Sequence, residues 1–417
     1  MQASNLKNPN INFVVLPSPY LIDDLSFPNL GVLYLSSILK EHNYGVSVID
    51  LHGHADNWKQ KLAEHADAPI WGISSVTPDF PIAVDAMNEI RTHHPDAHVI
   101  IGGPMATCDY RACLSAGFDQ VVVGEGERAI LKIMAGCREK VIKEPYILNL
   151  DEIPLPDRDA IDIHRYRYYT NGKNFTNILT SRGCYWSRCK YCCQVWDEKI
   201  RYRSAQNVIS EIESLRGMGF NGVSIVDDEF FFKKNRDFEI CEFMKEAGMS
   251  YRCLTRSDII NEEVAGVAAG TGCSEVLLGI ETGSSRILDT IHKGVTVKQN
   301  ETAIRILKEH GIRVKALFMV GLPGESRKTI EETKSFIERT CPDICEFTIF
   351  TPYPNTDFWQ NPGGYDIAFD KQKIMGGGSW YKGKKGGYTS YVRTSGLTED
   401  EIVKIRDELD AATSKRR

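Results

Sequence analysis

The sequence predicts an α/β protein in two parts, a doubly wound parallel sheet followed by a partial (β/α)6 barrel, with a short C-terminal tail. Three observations carry this. Short β-branched runs alternate with amphipathic helical stretches twice along the chain, and a proline-containing stretch without periodicity separates the two series. The 417 residues also exceed what one ordinary core fills. A hydrophobic content of 42% with 25% charged residues fits a globular protein in water, and no apolar run approaches the roughly 20 residues of a membrane span. The N-terminus lacks an export signal, so a cytoplasmic protein is expected. A net charge of −6 argues against a broad basic surface for nucleic acid and points to small-molecule or peptide substrates.

The first series occupies residues 1–140. Its strands are "INFVVL", "GVSVIDL", "PIWGISSV", "HVIIGG" and "DQVVVGEGE", with helical segments such as "LGVLYLSSILKEH" between them. Parallel sheets of this kind bind ligands at the carboxyl ends of their strands. There the sequence places Gly102, Gly103 and Pro104 in "GGP" and Gly124, Gly126 and Glu127 in "GEGE". Such glycines admit a flat ligand close to the backbone, and tight turns are the alternative reading. Residues 141–175 read as a linker.

Six strands follow within residues 176–360: "NILTS", "GVSIVDD", "YRCLTR", "EVLLGIE", "VKALFMVG" and "CEFTIF". Each is followed by a helical segment up to the last, which suits an open barrel rather than a full eightfold one. Residues 361–417 form an extension with a glycine- and lysine-rich stretch and a closing helix.

The first barrel strand runs directly into "SRGCYWSRCKYCCQVW", four of the chain's twelve cysteines within ten positions. In the reducing compartment expected for this chain the cysteines are not expected to form disulfides, and a tight group reads first as a metal site. Cys184, Cys189 and Cys192 are spaced so that one loop can wrap three thiolates around an iron–sulfur cluster, leaving one iron open. Zinc is the rival metal, although no second pair of ligands stands in reach. Unliganded thiols are the remaining reading.

The stretch "SRGCYWSRCKYC" resembles the cluster loop of radical S-adenosylmethionine (SAM) enzymes, with Tyr191 before the last cysteine. The superfamily spacing is three then two residues, and here it is four then two. Either Cys184 reaches its iron through a bulged loop or Cys193 replaces a neighbour; Cys184, Cys189 and Cys192 are retained and Cys193 is taken as a spare thiol. "PNLGVLYLSSILKEHNYGVSVID", "VIIGGP" and "VVVGEGERAI" resemble the N-terminal cobalamin-binding domain of one branch of these enzymes. "VDDEFF", "LTRSD", "LLGIETGSSRILDTIHKG", "FMVGLPGES" and "PYPNTDFW" are similar to strand ends of its radical domain. Together they cover about residues 11–360.

The resemblance implies a Rossmann-like cobalamin-binding domain ahead of the radical SAM barrel, and three cofactors: a [4Fe-4S] cluster, SAM and cobalamin. It further implies that Arg256 receives the SAM carboxylate, that Glu281 accepts from the ribose or amino group, and that Gly321, Leu322 and Pro323 offer a backbone edge to adenine. Surface ion pairs are the plainer reading of Arg256 and Glu281. Asp227 and Asp228 face the same mouth as cofactor or substrate ligands, and Thr77 joins the glycines of the first domain. His52, after the second strand, is expected to be a loop residue and not a ligand to cobalt; Met105 stands where relatives carry a histidine. Cys108, Cys113 and Cys137 are expected to be buried single thiols.

The implied activity is cobalamin-dependent methyl transfer to an unactivated carbon or to phosphorus, with an external electron donor such as flavodoxin or ferredoxin. Radical rearrangement, oxidation or ring formation with cobalamin accessory or absent is the second reading, and a non-catalytic cobalamin or redox sensor the third. The stretch Gly376–Gly387 is the candidate cover of the cleft, or else a solvated loop.

Overall fold

The computed structural model describes residues 10–19, 21–65, 68–193, 195–196, 199–378 and 386–414. Two compact units meet in sequence between Tyr166 and Arg167.

The first unit is built on six parallel strands: β1 (Asn10–Val15), β2 (Gly45–Asp50), β3 (Ile70–Ser74), β4 (His98–Gly102), β5 (Gln120–Val123) and β6 (Val141–Lys143), in the order β2-β1-β3-β4-β5-β6. Side chains alternate across a strand, so β1 sends Ile11, Phe13 and Val15 to one core and Val14 to the other. Helices Leu30–Glu41 and Gly126–Met134 cover the first face, and helix Phe80–His93 covers the second. Each fully buried Val, Ile or Phe contributes roughly 1.5–3 kcal/mol. The strand order reverses between β1 and β3, which opens a crevice at their carboxyl ends.

β6 was not expected, and it changes the reading of the linker. Residues from 141 to 166 pack with the first unit instead of standing between domains. Their contacts are with distant residues: Asp157 accepts from Ser36 Oγ at 2.5 Å and pairs with Lys40 at 2.6 Å, and the Ile147 amide donates to Glu125. The Tyr166 hydroxyl donates to Asp50 at 3.0 Å.

The second unit is a seven-stranded sheet in the order β15-β14-β13-β12-β11-β8-β7. Its strands are β7 (Tyr168–Thr170), β8 (Lys173–Ile178), β11 (Gly222–Ile225), β12 (Ser250–Thr255), β13 (Cys273–Glu281), β14 (Arg313–Val320) and β15 (Ile344–Ile349). The last six are the expected parallel strands in sequential order, the arrangement of an open half-barrel. β7 adds an antiparallel edge through the turn Asn171–Gly172, both residues at positive φ, as a two-residue hairpin of right-handed twist requires.

Two short strands, β9 (Ser181–Arg182) and β10 (Arg201–Tyr202), pair antiparallel after β8. In the extension, β16 (Ile367–Phe369) pairs with β17 (Val392–Thr394), and helix Glu399–Ser414 packs on β15. Among the described residues no helix is long and apolar enough to cross a membrane. Of the candidate cover, residues 379–385 lie outside the described residues.

Candidate functional site

The cysteine loop is fastened at its base. The β9–β10 ladder closes residues 183–200 into a loop at the carboxyl end of β8. Beneath it, Asp227 accepts from the Thr180 amide at 2.6 Å, from Thr180 Oγ1 at 2.6 Å and from Ser181 Oγ at 2.7 Å. Arg236 donates to the carbonyls of Thr180 and Arg203, and Arg203 donates to Leu179 O and Glu211. Burial pushes the Asp227 carboxyl up, opposed by its Thr180 and Ser181 donors. Asp227 is thus committed to holding the loop, a task its place beside Asp228 in the sequence did not suggest.

The tip of the loop is fastened too, to the segment after helix Ser285–Thr290. The Lys190 amide donates to Ile291 O at 3.1 Å, and Trp186 Nε1 donates to His292 O at 2.7 Å. Gly294 lies at φ +70°, and a Cβ there would stand 2.1 Å from Trp186 Cζ2, so only glycine lets the indole rest on this backbone. Tyr191 packs against the cluster of Ile287, Ile291, Leu322 and Phe350.

Around the thiols stand two buried cations. Lys293 is 6% exposed, and its Nζ donates to Glu281 Oε1 at 2.6 Å and to the Tyr191 hydroxyl at 3.1 Å. Tyr191 donates to the same Glu281 oxygen at 3.0 Å. The β13–β14 ladder shifts register at Gly279 and Glu281, and Glu281 sits at φ +65°, a conformation rare for a residue with a Cβ, which turns its carboxylate to this partner. Burial disfavours the charge on Lys293, but the Glu281 carboxylate outweighs it and keeps the ammonium.

Arg256, 4% exposed, is the second cation. Its Nε donates to the Tyr185 hydroxyl at 3.0 Å and to Asp258 at 3.1 Å, Nη2 reaches Asp258 at 3.3 Å, and Nη1 makes no hydrogen bond among the described residues. Burial opposes its charge, and Asp258 more than restores it. The guanidinium also lies 5.2 Å from the Tyr185 ring and 5.4 Å from the Trp186 ring, and Tyr185 stacks on the exposed Phe232. Glu229 accepts from Thr255 Oγ1 at 2.5 Å and from the Arg256 amide at 3.2 Å, and burial pushes its carboxyl up to about 7.

Cys184, Cys189 and Cys192 are free thiols, half-buried, half-buried and exposed. Burial raises the first two, while Lys293 and then Arg256 pull Cys189 back toward the thiolate. Cys193 and Cys108 are not free thiols, which corrects the reading of both; Cys113 is buried and Cys137 half-buried. Among the described residues no three His, Cys, Asp or Glu side chains stand close enough to hold one metal ion. Cluster thiolates bond different irons and stand further apart than ligands of a single ion. Three thiols on one anchored loop with two cations beside them fit an iron–sulfur cluster.

Gly321, Leu322 and Pro323 are all buried, and the Gly321 amide donates to Glu325 Oε2 at 2.5 Å. Burial pushes the Glu325 carboxyl up to about 8, with the Gly321 and Leu322 amides opposing.

In the first unit, the loops after β3, β4 and β5 are tied together. The Ser75 amide donates to Gly102 O, the Met105 amide to Ser75 O, and Thr107 Oγ1 donates to Gly103 O while accepting from the Gly124 amide. Gly103 has φ +90°, and a Cβ on it would press on Ser74 Oγ and Ser75 O at 3.0 Å. Gly102, Gly103 and Gly124 are half-buried and Pro104 is exposed, whereas Thr77 and Glu127 are buried and Gly126 admits Leu35 from helix Leu30–Glu41. Met105 is fully buried in the core. His52 Nδ1 lies 2.9 Å from the Tyr166 hydroxyl, and burial lowers its pKa. Asp79, at the crevice between β1 and β3, was not anticipated. Burial pushes its carboxyl up to about 7, and the Ser18 hydroxyl is 3.5 Å away.

The sequence also missed Lys293, Tyr185 and Asp258. A lysine and glycine directly after a helix at a strand-end loop, and two aromatics inside the cysteine loop, were the available signals.

The radical SAM superfamily model matches residues 178–337 and the B12 binding domain model residues 24–133. The Uncharacterized methyltransferase PH0819 of Pyrococcus horikoshii is 32% identical, with 91% of this chain and 86% of the relative aligned. The anaerobic magnesium-protoporphyrin IX monomethyl ester cyclase of Rubrivivax gelatinosus is 28% identical over 84% of this chain and 68% of its own. In fold, the radical SAM methyltransferase TsrM of Kitasatospora setae, solved with cobalamin and a [4Fe-4S] cluster, superposes with a TM-score of 0.67 at 18% identity, covering 87% of this chain and 81% of that one. The anchored cysteine loop on a half-barrel, the doubly wound unit before it and these matches agree: the chain belongs to the B12-binding branch of the radical SAM superfamily and is a radical SAM enzyme.

Proposed function

We propose that this enzyme is a cobalamin-dependent methyltransferase that acts on an unactivated carbon or on phosphorus of a small molecule or peptide. The observation that carries this is the joining, in one chain, of a B12-binding unit to a radical half-barrel, together with a 32% identical relative that is named as a methyltransferase. Cys184, Cys189 and Cys192 would hold the cluster. Arg256 would take the SAM carboxylate through Nη1, the nitrogen left over by Tyr185 and Asp258. Glu281 would reach the cofactor through Oε2, since Oε1 is occupied by Lys293 and Tyr191. The tied loops at Gly102, Gly103 and Gly124 would receive cobalamin, with Thr77, Gly126 and Glu127 supporting them from inside.

When bound, these groups supply an electron that splits SAM into methionine and a 5′-deoxyadenosyl radical, and a carrier for the methyl group. The protein's own residues orient the carboxylate, keep the loop fixed and hold water away. An external donor such as flavodoxin or ferredoxin would deliver the electron, in the cytoplasm.

The test is to incubate protein reconstituted with iron, sulfide and hydroxocobalamin with SAM and a strong reductant. S-adenosylhomocysteine should accumulate, and with the true substrate it should match 5′-deoxyadenosine one to one. 5′-Deoxyadenosine without S-adenosylhomocysteine would reject methyl transfer and favour ring formation, the reaction named in the second relative.

A further inference from the structure

On β14 and β15 every second side chain is buried, and Phe318 shows beneath what: its ring lies 6.2 Å from Phe336 of helix Arg327–Thr340. The alternate set points away from the helices, to the concave side of the half-barrel, and stays half-exposed. Leu254, Leu277 and Leu317 give this side an apolar lining, and Lys315 and Glu346 give it charge. Two ion pairs stand here. Arg252 and Glu275, near the amino ends of β12 and β13, pair at 3.2 Å and are buried, so that layer is closed to a ligand. Lys315 pairs with Glu346 further along, and their side chains remain 21% and 30% accessible. Glu346 is opposite Leu317, and Leu317 is opposite Gly279, two residues before Glu281. The open pair therefore lies about 7 Å of strand from the residue that would reach SAM.

An apolar lining with few polar groups takes its ligand's orientation from those groups. A neutral ligand laid over the pair would strip its remaining water. A ligand with one charge would draw one partner away and leave the other uncompensated. Only a ligand with both charges satisfies both side chains. We propose that the half-barrel binds a free amino acid or a similar small zwitterion, with its ammonium on Glu346, its carboxylate on Lys315 and its side chain along the leucines toward SAM. A residue inside a peptide carries neither charge, so the substrate is a small molecule. The proposal rests on the reading that this face receives the methyl acceptor. Binding tests it without turnover, and protein that binds the zwitterion but forms no S-adenosylhomocysteine would fail that reading alone.

The experiment uses the full chain reconstituted anaerobically with iron, sulfide and SAM, and ligand-observed NMR titration of four probes that share one carbon chain. L-norleucine carries both charges, hexanoate the anion, pentylamine the cation, and N-acetylnorleucinamide neither, as in a peptide. Wild type should bind norleucine about tenfold more tightly than any of the other three. Glu346→Gln should lose about tenfold for norleucine and gain for hexanoate, because Lys315 is then unopposed. Lys315→Met should lose as much and gain for pentylamine. A structural role alone would weaken all four probes together and would not exchange their order. Norleucine bound no better than N-acetylnorleucinamide by wild type would overturn the proposal and favour a peptide. An order of probes unchanged in both variants would overturn it too, and the wild-type order decides the matter if neither variant assembles.

Discussion

Replacing Asp227 by alanine separates two roles for this carboxylate. It accepts three hydrogen bonds, from the Thr180 amide and the Thr180 and Ser181 hydroxyls, all within 2.7 Å and all buried. Hydrogen bonds to a charged group contribute about 1.5–3 kcal/mol each, and an orphaned buried amide costs about 1–3 kcal/mol. The two hydroxyls can rotate toward other acceptors, but the Thr180 amide cannot. Asp227→Ala should therefore cost about 3–5 kcal/mol. Asp227→Asn, which still offers one carbonyl oxygen to the amide, should cost about 1–2 kcal/mol by the same reasoning. Urea denaturation of the metal-free protein reads both values. If Asp227 served mainly to bind SAM, Asp227→Ala would leave the metal-free protein as stable as wild type and would weaken only SAM binding. A loss below about 1 kcal/mol on the alanine change would refute the structural role.

Gly294→Ala should strip the tip anchor, because the new Cβ meets the Trp186 indole and the backbone is held at φ +70°. Iron retained after desalting should fall at least several-fold, and adding Trp186→Ala to make room should recover part of it; equal iron in Gly294→Ala and wild type would contradict the contact. Glu325→Gln should change stability in a pH-dependent way. The folded carboxyl holds its proton up to about pH 8, whereas the unfolded one releases it near its ordinary value of about 4.3. Stability is therefore full at low pH and declines as pH rises between those values, by at most about 1.4 kcal/mol per unit. Glu325→Gln should gain on wild type between pH 5 and pH 8 in thermal unfolding, and a constant difference would speak against the buried acid.

The parallel strands were legible in the sequence because strands buried on both faces read as continuous β-branched runs, such as "FVVL" and "VIIG". β7 was missed, inside the stretch read as a linker, although "TNG" between two aromatic-containing runs is a hairpin signal. β6 was not legible, because three residues without periodicity become a strand only when β5 is there to pair with. The first-unit contacts of residues 141 to 166 escaped for the same reason, as Asp157 meets Ser36 across 121 positions. At the site, residue types were legible and their partners were not. Arg256, Glu281 and Asp227 were singled out, but Lys293 meets Tyr191 across 102 positions, and no local pattern carries such a pairing.

Helix Glu399–Ser414 sits far outside the motifs of the superfamily, yet it is woven into the barrel. Arg406 donates to Phe347 O on β15, and Ile402 lies where a side chain on Gly321 would come within 3.1 Å. It backs the loop after β14 as a plank backs a shelf. A chain trimmed at the end of the last barrel strand would leave the edge of β15 open to pairing with another molecule and the Gly321 turn without support. Changes at Arg406 or Ile402 would therefore be felt in the barrel, at β15 and at the Gly321 turn, and not in the tail alone.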